Sequence, residues 1–140
     1  MKTITFEVPL YKVDVTLVQI ERKEDLDSVI SLFEDNGITE TATVEDYIKR
    51  ELHDGGDTWR NLEKRVMIVV FYPFSSPESR ANIYEHEKRH LEDRILNYFG
   101  VEDIESAAIL AGYLGEQFYH FTYDTNSDQL YWKPYDVMYE

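Results

Sequence analysis

At 140 residues and a formal net charge of −14, the chain has the size of one domain and is too acidic to attract nucleic-acid phosphates or anionic lipid headgroups. Hydrophobic residues make up 43% of it and aromatic residues 14%, enough for a buried core, which excludes a disordered chain. Without cysteine, disulfides, thiolate metal sites and cysteine nucleophiles are excluded too, so any metal must be held by nitrogen and oxygen.

The first seven residues lack the apolar core of a signal peptide, and no later stretch has the length of a membrane span, so the expected location is the cytoplasm. Residues 3–20 read as one or two strands, with Tyr11, Val13, Val15 and Leu17 alternating with polar residues after a break at Pro9. A helix over about 23–35 follows, with Leu26, Val29, Ile30 and Phe33 on one stripe and a stop at Asn36-Gly37. A second helix is expected from Thr43, burying Val44, Tyr47, Ile48 and Leu52, with His53-Asp54-Gly55-Gly56-Asp57 ending it.

Residues 65–74 form the strongest strand signal, because Val66 to Phe71 run without a polar break, the pattern of a strand covered on both faces. Ser76-Pro77-Glu78 then starts a helix, with a capping hydroxyl, a proline where its missing N–H costs nothing, and a carboxylate at the positive end of the dipole. This helix is expected to reach Phe99 and stop at Gly100. A further helix, about 103–118, carries Ala107, Ala108, Ala111, Gly112 and Gly115, small residues that admit a close neighbour. The tail reads as a hairpin: a strand over 118–123, a turn at 125–128 and a strand over 130–132.

The chemistry concentrates at His86-Glu87-Lys88-Arg89-His90. On a helix, histidines four residues apart share a face and can grip one zinc ion, and a glutamate after the first is placed to act as general base. Around a wheel centred on Leu91, the apolar stripe is Ile83, Tyr84, Ile95, Tyr98 and Phe99, and Glu87 falls inside it. A buried carboxylate is costly unless something compensates its charge, as a divalent metal does. Neutral imidazole suits zinc, which lowers the pKa of its water to about 7 so that Glu87 can take the proton. The third ligand is sought on the small-residue helix, where Glu105 is the first choice and Glu102 and Asp103 are rivals. The cations Lys88 and Arg89 occupy the two middle positions.

Strand, Ser-Pro helix start, His86-Glu87-x-x-His90, Gly100-Val101 turn and Glu105-x-x-Ala108-x-Leu110-x-Gly112-Tyr113-Leu114 follow in that order. Over roughly residues 65–118 this resembles the small zinc metallopeptidases of phages and mobile elements, zincins whose third ligand is a glutamate. The resemblance implies His86, His90 and Glu105 as zinc ligands, Glu87 as general base, and a substrate cleft bordered by the strand ending near Tyr72. Asp93 or Asn97 are placed to orient a histidine N–H in such a site.

Weaker candidates are His53 with Asp54 and Asp57 as a second metal site, and His120, Tyr119 or Tyr123 as oxyanion donors if the tail hairpin folds over the cleft. Gly112 and Gly115 lack the strand-to-loop context of a phosphate cradle. The expectation is a single α+β, zincin-like domain over 1–140: a small sheet packed against helices, with the motif on a long helix. It would bind zinc and cleave a protein or peptide substrate, with neither nucleic acid nor membrane as partner. The alternative is a non-catalytic zincin-like scaffold whose acidic surface contacts a protein, such as one that itself binds DNA.

Overall fold

The computed structural model describes residues 1–39, 44–46 and 53–123. It is an α+β arrangement in which four strands, β1 (Lys2–Val8), β2 (Val13–Gln19), β3 (Gly56–Asn61) and β4 (Val66–Phe71), form one sheet in the order β1-β2-β4-β3. The first two strands make an antiparallel hairpin from Lys2↔Gln19 to Val8↔Val13, turned by Lys12 at φ 56. β4 runs parallel to β2 and antiparallel to β3. The parallel pair requires a crossover connection, which includes α1 (Leu26–Asp35). A short 3-10 turn, Lys23–Asp25, leads into α1, and Gly37 at φ 72 supports the chain reversal after it.

β4 is interior and covered on both faces, as its unbroken apolar run requires. Its period-two alternation feeds two cores. Met67, Val69 and Phe71 join Val13, Val15 and Leu17 under the long helices, and Ile68, Val70 and Tyr72 join Val18, Val29 and Phe33 under α1.

The long helices are α2 (Pro77–Phe99) and α3 (Ile104–Tyr123). α2 begins where the sequence says: Ser76 Oγ accepts the Ser79 N–H at 3.0 Å, Pro77 is in the first turn, and Gly100 at φ 68 closes the helix. α3 is capped by Asp103, whose Oδ2 accepts the Ser106 N–H at 2.8 Å. Phe71, Tyr84, Phe118 and Phe121 lock α2 and α3 to the sheet through one aromatic cluster, with ring centroids 4.5 Å apart for Phe71–Tyr84.

Two expectations are corrected. Residues 118–123 are the last turns of α3, not a strand: Leu110, Leu114, Phe118 and Phe121 are buried at helical spacing, and Thr122 Oγ1 bonds back to the Phe118 carbonyl at 2.9 Å. The loop expected at 53–57 runs instead into β3. Residues 44–46 are helical and Val44 is buried, whereas the rest of the second expected helix and of the tail hairpin lies outside the described residues. Among the described residues no helix is long and apolar enough to cross a membrane.

Candidate metal centre

Glu87 is buried, with 4% of its side chain exposed, although it sits in a helix that is polar over much of its surface. It is accommodated by β3. Gly56 carries no side chain at the crossing point, where a Cβ would lie 3.1 Å from Glu87 Cγ and 3.2 Å from Phe71 Cδ1. Two residues on, and therefore on the same face of the strand, the Thr58 hydroxyl donates to Glu87 Oε1 at 2.8 Å. That bond offsets part of the cost of taking a carboxylate out of water.

The other carboxylate oxygen, Oε2, lies 3.8 Å from His86 Nε2. His86 and His90 stand edge to face on adjacent turns, with their Nε2 atoms 3.1 Å apart. Three candidate ligand atoms, one each from His86, Glu87 and His90, thus lie within 4.8 Å of one another. Zinc–nitrogen bonds of about 2.0–2.1 Å in a tetrahedral shell put two nitrogens about 3.3 Å apart, so the imidazoles are already near the spacing of a shared ion. The same gap suits an N–H···N hydrogen bond between opposite tautomers, and metal binding would replace that bond. His86 is 65% exposed, so the pair opens to solvent while the acid is held from below.

The two cations inside the motif point elsewhere. Lys88 Nζ pairs with Glu92 at 3.1 Å and Glu85 at 3.9 Å, and it lines the groove between α2 and α3. Arg89 pairs with Asp93 at 3.4 Å on an exposed surface, which engages the carboxylate expected to orient a histidine. A step of about 100° per residue puts His86 and His90 each about 200° from Lys88, away from the face that meets α3.

This geometry keeps the expected third ligand apart. Glu105 is exposed in the first turn of α3, which begins beyond Phe99, nine residues and about 13 Å along the helix axis from His90. It is not among the converging residues. Asp103 is engaged as the α3 cap, whose N–H bond holds its carboxyl below the usual range, and Glu102 is exposed in the same turn. The strand that contacts Glu87 is β3, at the edge of the sheet.

The weaker candidates serve other purposes. Asp54 accepts from Ser75 N, Ser75 Oγ and Ser79 Oγ, each at 2.7 Å, which ties the start of β3 to the start of α2 and lowers its pKa. Asp57 points to the opposite face of β3, where it accepts from the Tyr72 hydroxyl at 2.8 Å. Tyr119 and Tyr123 lie on α3 and line the α2–α3 groove, and His120 is exposed on the same helix. Gly56 and Thr58 are the site residues that sequence reasoning missed; their only signal is the Gly55-Gly56 pair with a threonine two residues on. No protein-family model, curated protein or solved structure matches the chain.

Proposed function

We propose that the chain is a zinc-dependent metallopeptidase of the His-Glu-x-x-His kind. The observation that carries the reading is the convergence of two imidazole nitrogens, 3.1 Å apart, with the free oxygen of a buried glutamate. His86 and His90 would hold the metal through neutral imidazole, whose preference for zinc over magnesium or calcium follows from ligand chemistry, and they are two of the three protein ligands a catalytic zinc takes. Zinc at that point supplies a Lewis acid and a water acidified to a pKa of about 7. Glu87, with Oε1 bonded to Thr58, would be the group that takes a proton from the attacking water on Oε2 and gives it to the departing amine. The exposed imidazole face gives an extended peptide access without a closed pocket.

The position of Glu105 favours a second reading, a zincin-like scaffold without turnover that uses its −14 charge to contact a protein. Zinc content and peptide cleavage separate the two. The expected result is one zinc per chain after purification without chelator, lost in His90→Ala, and cleavage of unstructured peptides that falls about 10²–10⁴-fold in Glu87→Gln with zinc retained. Zinc without cleavage in the unaltered chain supports the scaffold. No zinc near neutral pH overturns the metallopeptidase reading.

A further inference from the structure

Glu87 is a flexible side chain given one fixed role, and the fixing comes from β3. A glutamate has three rotatable bonds, and a base that samples several rotamers spends little time aimed at its proton. Here Oε1 is engaged by the Thr58 hydroxyl at 2.8 Å, and Cγ is seated in the space that Gly56 leaves beside Phe71. With those two points held, the remaining oxygen is the one turned to His86, at 3.8 Å.

We infer that Thr58 is a positioning residue for Glu87: its hydroxyl holds one carboxylate oxygen, and so fixes the side chain with the other oxygen facing the imidazole pair. The inference rests on the metallopeptidase reading, and its test is built so that the two can fail separately. Thr58→Val keeps the shape and the β-branching of the strand and removes only the hydroxyl, whereas Thr58→Ser keeps the hydroxyl. Three-bond side-chain couplings of Glu87, measured by NMR on the zinc-free chain, report its rotamer without any turnover. The expected result is a single rotamer in the unaltered chain and in Thr58→Ser, and averaged couplings in Thr58→Val. With zinc bound, Thr58→Val is expected to lose about tenfold or more in kcat, the effect of one charge-assisted hydrogen bond, with KM and zinc per chain unchanged and Thr58→Ser restoring the rate. A Thr58→Val chain that matches the unaltered one in both couplings and kcat overturns the positioning role alone. An unaltered chain that binds no zinc overturns the metallopeptidase reading and this role with it.

Discussion

The two edges of the sheet are built from opposite kinds of residue. β1 alternates between core and solvent, and its edge is covered by α3: Phe6 meets the Tyr113 ring at 6.0 Å, Lys2 Nζ lies 5.1 Å from the centre of the Phe121 ring, and the Tyr113 hydroxyl donates to the Glu7 carbonyl at 2.6 Å. The last of these engages one backbone group that the edge would otherwise offer to another strand. β3 has no apolar alternation. On the α2 side its positions are Gly56 and Thr58, which receive an acid from α2 beside the Phe71 ring. One outer strand packs on α3 through Phe6, while the other puts Trp59 against the α1 core and gives its opposite face to a charged group beside two histidines.

Adding a methyl group where β3 is bare should break that contrast most strongly. In Gly56→Ala the new Cβ meets Glu87 Cγ at 3.1 Å and the Val70 carbonyl oxygen at 3.2 Å, and the second of these is backbone that cannot swing aside. Glu87 must then give way by a few tenths of an ångström. A loss of about 1–3 kcal/mol is expected from overpacking, read as a lower denaturant midpoint at unchanged slope. A midpoint unchanged in Gly56→Ala would show that the seat is loose.

At the β1 edge the expected effect is smaller. Tyr113→Phe keeps the ring against Phe6 and removes only the donor to Glu7. Because water can reach that carbonyl, the cost should stay within about 0.5–1.5 kcal/mol, the net worth of one ordinary hydrogen bond. Equal or greater damage than in Gly56→Ala would reverse the ranking of the two edges.

What could be read in the sequence follows from where the decisive interactions lie. The cap at Ser76, the proline at 77 and the glycine at 100 act within a few residues of themselves, so α2 is legible at both ends. β4 announces its burial because every one of its residues meets apolar neighbours. The pairing of His86 with His90 follows from helical spacing, whereas the apolar stripe of α2 holds Glu87, buried by β3, and also Tyr98, which is 51% exposed. β3 is not legible, since Gly-Asp-Thr-Trp-Arg-Asn becomes a strand by pairing with β4, from Gly56↔Phe71 to Asn61↔Val66, and not by its own propensity. Aromatic residues at 118–123 suggest a strand, yet the pattern of burial there is helical. The separation of Glu105 from the histidines is a tertiary fact: sequence distance does not tell which side of α2 its partner helix will take.

The smallest expected effect tests whether β3 carries an electrostatic load on both faces. Asp57 is half-buried on the α1 side of the strand; burial raises its pKa, the charge of Glu87 pushes the same way, and the Tyr72 hydroxyl opposes them. For an acid whose folded pKa lies above its unfolded value of about 3.9, the folded chain keeps a proton that the unfolded chain has already released. Stability therefore falls as pH rises through the window between the two values, and the cost stays constant above it. Asp57→Asn leaves an acceptor for Tyr72 and removes the charge. Measured as a difference between the two chains, its stability is expected to gain on the unaltered protein as pH rises from about 4 through the raised pKa, and to level off beyond. A difference that is flat across this range would mean that Asp57 ionises in the fold as it does in water, and that the Glu87 face alone distinguishes β3 from β1.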